Sequence, residues 1–285
     1  MNIIKNITLY LKMIKFEHSI FALPFAFTSA IIAAGGLPAI KQIILITIAM
    51  VSARTAAMGM NRIIDRDIDK RNPRTKNREI PAGVINVRDA VIFTALSVIC
   101  LIISAYFLNP LCFKLSPVAI IILFIYSYTK RFTWFSHVVL GIAISLAPMG
   151  SWIAVTGSLD LRILLLVIGI IFWLTGFDIL YALQDMDFDR TNGLYSIPQT
   201  FGPVKSLIIA RVCHFMTWGL LIGTGVIFHL GVFYYIGMGI VTGLLIYEHS
   251  LVKSNDFSKL NMAFFNMNGY ISVVVFVFSA LDIFL

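Results

Sequence analysis

The sequence predicts an all-α membrane protein, a single polytopic domain of nine transmembrane helices. Three observations carry that expectation. Of the 285 residues, 59% are hydrophobic and 13% charged, against about 25% charged in a soluble domain. The mean hydropathy is +0.91, and apolar runs of about 20 residues, enough to cross a bilayer, recur along the whole chain. The runs are continuous rather than alternating, which favours helices over a barrel, the only other closed solution in hydrocarbon.

The expected spans lie near 16–35, 42–63, 88–108, 111–128, 136–156, 162–184, 205–228, 231–250 and 262–284. Glycine and proline punctuate their ends, as at Gly35-Gly36-Leu37-Pro38, Asn109-Pro110, Gly157, Gly202-Pro203 and Gly231. Lys5, Lys12 and Lys15 ahead of the first run imitate a signal peptide. Residues 1–15 are long for such a leader, and the run matches the later ones, so it reads as an uncleaved first span.

Lysine and arginine set the orientation. One side holds Lys5, Lys12, Lys15, the eight from Arg62 to Arg88, Lys130, Arg131, Arg190, Lys205, Lys253 and Lys259. The other holds Lys41, Lys114 and Arg162. This bias puts the N-terminus in the cytoplasm and, after nine spans, the C-terminus outside. The same bias explains the net charge of +8, so nucleic acid is not an expected partner. Cys100, Cys112 and Cys213 sit apart in apolar runs and read as packing residues.

The scarce carboxylates are concentrated. Of 14 acidic residues, Asp65, Asp67 and Asp69 end the second span, and Asp185, Asp187 and Asp189 end the sixth. Asp65 to Asp185 and Asp69 to Asp189 are both 120 residues. Spans two and six point the same way, which suggests two four-helix halves, about 16–128 and 136–250, plus a ninth helix. On a helix Asn61, Asp65 and Asp69 share one face, and Asp67 points elsewhere. Arg54, 11 residues before Asp65, lies within about 20° of that face and roughly 16 Å deeper. Asp178, Tyr181, Asp185 and Asp189 share a face likewise.

Like charges at i, i+4 repel and call for a cation. Carboxylates with an Asn carbonyl are hard ligands suited to Mg²⁺, which commonly bridges few carboxylates and a substrate phosphate. A diphosphate would also explain the basic residues from Arg62 to Arg78 with Lys130 and Arg131. The plainer alternative is solvated helix ends. Arg54, which costs roughly 2.5–3.5 kcal/mol near a span's centre, is expected to face a cavity with Asp178 as partner or neighbour; a purely structural Arg54–Asp178 clamp is the competing reading. His18, His137, His214, His229 and His249 fit no metal spacing and read as interfacial or packed. Tyr126 and Lys130, one turn apart, come within reach of the site. No Walker A loop, dinucleotide fingerprint or nucleophile elbow is present.

The chain resembles the UbiA superfamily of intramembrane prenyltransferases. The resemblance rests on Arg54-x6-Asn61-x3-Asp65-x3-Asp69 with Asn72-Pro-Arg74-Thr-x-x-Arg78-x-x-Pro81-x-Gly83, on Asp178-x-x-Tyr181-Ala-x-x-Asp185-x3-Asp189-x3-Gly193, and on Tyr126-x-x-x-Lys130-Arg131. It implies nine helices around a central cavity with a cytoplasmic cap, in the inner (cytoplasmic) membrane. It also implies transfer of a polyprenyl group from its diphosphate to the ring carbon of an aromatic acid in quinone biosynthesis. By the resemblance, Asn61, Asp65, Asp69, Asp185 and Asp189 hold Mg²⁺ and the diphosphate, and Arg74, Arg78 and Lys130 bind its oxygens. Tyr126 and Asp178 line the reaction centre, with Arg54 and Lys15 near the acceptor. Arg62 departs from the family, where many members carry Asp. The run Phe16-Glu-His18-Ser-Ile-Phe-Ala-Leu-Pro24-Phe is similar to the 4-hydroxybenzoate polyprenyltransferase branch; a menaquinone-pathway enzyme using another aromatic acid is the alternative. From a different class, a transporter also uses repeats and buried charges, but its site lies near the midplane, whereas these acids gather at helix ends.

Overall fold

In the computed structural model, residues 3–253, 256–257, 259–260 and 262–285 are described. Among them the chain is helical, with one isolated bridge between Lys253 and Asp256. In order, the helices are α1 (Ile3–Met13), α2 (Leu23–Ala34), α3 (Ile40–Ile64), α4 (Arg66–Arg71), α5 (Val87–Leu108), α6 (Pro110–Thr129), α7 (Ser136–Thr156), α8 (Leu164–Ala182), α9 (Met186–Thr191), α10 (Ile197–Ile227), α11 (Val232–Leu251) and α12 (Asn268–Phe284). Tight 3₁₀ turns precede α2 and flank α8, and a π-helical turn, Met262–Met267, leads into α12.

Among the described residues, eight segments are long and apolar enough to cross a membrane: α3, α5, α6, α7, Leu161–Thr191, α10, α11 and Met262–Phe284. This is the composition of a multi-pass membrane protein. The first expected span differs. It divides into a 3₁₀ turn at Phe16–Phe21 and the 12-residue α2, about 18 Å long by itself against a hydrocarbon core of about 30 Å. The seventh begins earlier than expected. Ser196 caps α10 through the Gln199 N–H, and a break at Gly202 (φ 77°, ψ 171°), a conformation open to glycine, separates its first turn from the long run after Pro203. The N-terminal residues ahead of the first span, expected only as a basic flank, form α1.

Two compact units emerge. The first contains the residues up to Ser19 together with Ile43–Tyr128; the second contains Ile20–Gln42 and Thr129–Leu285. The expected halves assign the first apolar run to the N-terminal side. Its helix α2 packs instead on α7 and α12 of the second unit, with the Ser29 hydroxyl donating to the Pro148 carbonyl at 2.7 Å.

In the first unit, Met13, Ile14, Ile80, Ile85 and Ala90 form a small buried core. It joins the end of α1 to the 72–86 loop and α5. α3 and α5 meet at Gly59, where a Cβ would collide with the Thr94 hydroxyl. In the second unit α8 is central. It packs on α7 and α10, and Leu166, Ile170, Trp173 and Leu174 are buried. Phe21, Phe25, Trp173, Phe177 and Phe264 pack edge to face around it, and Tyr181 stacks on Phe264 with centroids 4.0 Å apart.

Candidate active site

Both acid clusters sit at a helix break of the same form. α3 runs to Ile64, Asp65 takes φ −89° and ψ 2°, and the six-residue α4 follows. α8 passes through a 3₁₀ turn, Asp185 takes φ −102° and ψ 1°, and the six-residue α9 follows. These angles belong to the sparsely allowed bridge region, where active-site residues are often found. The first break leaves the hydrogen-bond ladder intact: Asp65 N–H reaches the Asn61 carbonyl at 2.9 Å, and Asp69 N–H reaches the Asp65 carbonyl at 2.7 Å. The face expected for Asn61, Asp65 and Asp69 therefore survives. Asp67 and Asp187, between the inward pairs, are exposed.

In the first unit the carboxylates are buried, Asp65 at 1% and Asp69 at 3% relative exposure. The Asn61 amide donates to Asp65 Oδ2 at 2.9 Å. Arg78 donates to both oxygens of Asp69, each at 2.8 Å. Thus Arg78, expected to bind a diphosphate, holds a carboxylate. The loop that carries it is built by its own side chains: Asn72 Oδ1 accepts from Arg74 N–H, and the Thr75 hydroxyl donates to the Asp69 carbonyl. Arg74 is exposed on that loop.

Two arginines of α3 grip the chain where α1 ends. Arg54 donates to the Lys15 carbonyl at 3.3 Å, and Arg62 Nε to the Met13 carbonyl at 3.1 Å. Lys15 has a left-handed backbone, φ 52°, uncommon for a residue with a Cβ. Arg62, read from sequence as a loop cation, is 4% exposed. Within the first unit Arg54 meets a backbone carbonyl, and within the second Asp178 meets a histidine. Tyr126 is half-buried near the end of α6.

In the second unit His137, read from sequence as a packed or interfacial residue, places Nδ1 at 2.7 Å from Asp178 Oδ2. Its Nε2 accepts the Ile197 N–H at 3.2 Å. Asp189 is half-buried, with the Ser196 side chain near it. Its carbonyl takes the Leu194 N–H, while Lys130 offers its own to the Tyr195 N–H at 2.7 Å. Asp185 and Lys130 are half-buried. His214 and His249 make a separate contact with nitrogens 2.9 Å apart. Beside them are the fully buried Glu248 and Asn268, with the Asn268 amide donating to Glu248 at 3.0 Å.

Among the described residues, no three His, Cys, Asp or Glu side chains are grouped closely enough to hold a metal ion alone. Oxygen donors two at a time suit Mg²⁺, which usually keeps waters and substrate phosphate in its shell. They do not suit a closed zinc centre.

The chain matches the model of the UbiA prenyltransferase family over residues 22–270. It is 30% identical over 246 residues to a 4-hydroxybenzoate octaprenyltransferase of Vibrio parahaemolyticus, covering 86% of each chain. A protein of the same name from Aromatoleum aromaticum is 30% identical over 253 residues, covering 88% of this chain and 85% of that one. Among solved structures, an apo UbiA homolog from Aeropyrum pernix superposes with a TM-score of 0.85 at 30% identity, over 93% of this chain and 98% of that chain. A UbiA homolog from Archaeoglobus fulgidus bound to GPP and Mg²⁺ gives 0.70 at 18% identity, over 97% and 100% of the two chains.

Proposed function

We propose that this chain, which belongs to the UbiA prenyltransferase family and is on that ground a prenyl-transferring enzyme, moves a polyprenyl group from its diphosphate to the ring carbon of an aromatic acid. 4-Hydroxybenzoate or a related acid is the acceptor, and the product feeds quinone biosynthesis. The observation that carries the reading is the repeated break at Asp65 and Asp185. Each break ends an apolar segment with two inward carboxylates one helical turn apart, as binding a cation and a diphosphate requires.

Asn61, Asp65, Asp69, Asp185 and Asp189 are the residues suited to Mg²⁺. The ion supplies stabilisation of the negative charge that develops on the departing diphosphate. Arg74, Arg78 and Lys130 serve the diphosphate oxygens. Arg78 Nη1 reaches both oxygens of Asp69, and a guanidinium suits phosphate oxygens equally. Tyr126 and Asp178 line the reaction centre. Arg54 and Lys15 belong to the acceptor side; the Arg54–Lys15 hydrogen bond supports a shared role. The allylic cation needs surroundings without bulk water. The relatives' printed name supports 4-hydroxybenzoate, and the ligands of the Archaeoglobus protein support a prenyl diphosphate and Mg²⁺.

The expected arrangement has the N-terminus and both acid clusters on the cytoplasmic side of the inner membrane and nine crossings with the C-terminus outside, the 3₁₀ turn at Phe16–Phe21 and α2 together making the first. Incubation of the purified protein with polyprenyl diphosphate, Mg²⁺ and mixed aromatic acids, read by mass spectrometry, tests the reaction. A ring-prenylated acid is expected. No product with any acceptor, together with ion flux in liposomes, would favour a transporter.

A further inference from the structure

We propose that His137 is a positioning residue for the transfer reaction, fixing the Asp178 carboxylate against the start of α10 so that Oδ1 is the oxygen presented. This rests on the reading that Asp178 lines the reaction centre. The argument begins with hydrogens. A backbone N–H can only donate, so the Ile197 N–H at 3.2 Å makes His137 Nε2 an acceptor. The ring proton is then on Nδ1, and it points along the 2.7 Å contact to Asp178 Oδ2. The amide that sets this tautomer is one of the donors a helix start leaves without an internal partner. Ser196, the usual capping position, spends its oxygen on the Gln199 N–H at 3.2 Å. His137 therefore caps Ile197 from 60 residues away.

The imidazole is held firmly. His137 is 3% exposed at the start of α7, and the Thr175 hydroxyl lies 3.5 Å from its carbonyl. Asp178 is less enclosed, its side chain 22% exposed. Among the described residues His137 is its one hydrogen-bond partner, which leaves Oδ1 open to a ligand. A carboxylate anchored by one oxygen and open at the other can accept a hydrogen bond or a proton from an acceptor's hydroxyl. Left to rotate, it would hold that oxygen in place only part of the time.

Side-chain geometry allows the two hydrogen bonds to be separated. In His137→Asn the amide nitrogen falls where Nδ1 stands, so the donor to Asp178 is kept and the cap on Ile197 is lost. In His137→Gln the amide reaches the position of Nε2, so the cap is kept and the donor is lost. The full-length protein in detergent would be assayed with polyprenyl diphosphate, Mg²⁺ and 4-hydroxybenzoate, alongside its thermal midpoint. We expect kcat within about threefold of the parent for His137→Asn. His137→Gln should lose about 10- to 100-fold in kcat, as loss of an orienting partner typically does, with KM for the diphosphate unchanged. The double variant His137→Gln/Asp178→Asn should be no slower than Asp178→Asn, because the pair acts as a unit.

Parental kcat in His137→Gln beside an impaired Asp178→Asn would overturn the positioning role. So would equal losses in the Asn and Gln variants that track a lowered thermal midpoint, since that pattern marks a structural histidine. Parental turnover in Asp178→Asn would overturn the reading of Asp178 itself, and with it any need to position it.

Discussion

The two acid clusters share a backbone and differ in their surroundings. Asp65 and Asp185 break their helices at nearly the same angles, 120 residues apart. In the first cluster both inward carboxylates are buried and held by short charged or amide contacts. In the second, Asp178, Asp185 and Asp189 are only half-buried. Asp178 leans on a histidine ring, and Asp189 lies near the capping serine of α10. The first cluster is internally neutralised by Arg78; the second is arranged by the start of a helix. A repeated motif can therefore keep its geometry while each copy solves the problem of buried charge differently.

If both breaks serve one chemistry, neutralising either should have the largest effect of all. Asp65→Asn and Asp185→Asn should each lower turnover on the order of 10³-fold, the scale of losing a preorganised electrostatic contact to the reacting charge. Circular dichroism and the thermal midpoint should stay near parental values. Parental turnover in one of the two would show that the resemblance between the breaks is only structural. Chelation by EDTA should abolish turnover in the parent, and Mg²⁺ should restore it; turnover that survives chelation would remove the metal role from both clusters.

The difference between the clusters should appear in stability. Removing Arg78 leaves Asp69, with 5% of its side chain exposed, without its guanidinium. Breaking a fully buried pair costs about 3–5 kcal/mol. The Arg78 side chain is 24% exposed, so a loss nearer 2 kcal/mol is expected for Arg78→Ala. Asp69→Asn in the same chain should recover part of it, because the stranded charge is gone. A thermal midpoint unchanged by Arg78→Ala would mean that solvent or another cation already balances Asp69.

The geometry the two clusters share was legible in the sequence, for a definite reason. The i, i+4 spacing of Asn61, Asp65 and Asp69 reports one face of one helix, and the local ladder preserves that face through the break. Asp67 drops out of the face by the same arithmetic. The ends of α7 and α3 follow from where apolar runs meet polar residues. Partnerships between elements are different, because periodicity relates residues along one helix only. His137 and Asp178 are 41 positions apart on separate helices, and a lone histidine at a helix start looks like any interfacial residue. By sequence Arg62 groups with the basic loop, because it begins that run of charges; its burial depends on α1 delivering the Met13 carbonyl. The division of the first apolar run was equally hidden, since hydropathy averages across the turn before α2.

The smallest effect should come from Ser196, the group that most distinguishes the second cluster from the first. Its hydroxyl accepts the Gln199 N–H and has Asp189 as a neighbour. Ser196→Ala removes the cap. Loss of a helix cap costs about 1 kcal/mol, and a drop of that size in stability is expected. Ser196→Asp would restore the cap while placing a like charge beside Asp189. If the serine matters only as a cap, the Asp variant should recover stability and turnover together. If it orients Asp189, stability should recover while the KM for Mg²⁺ rises, and that split would show that the second cluster depends on neutral partners where the first depends on an arginine.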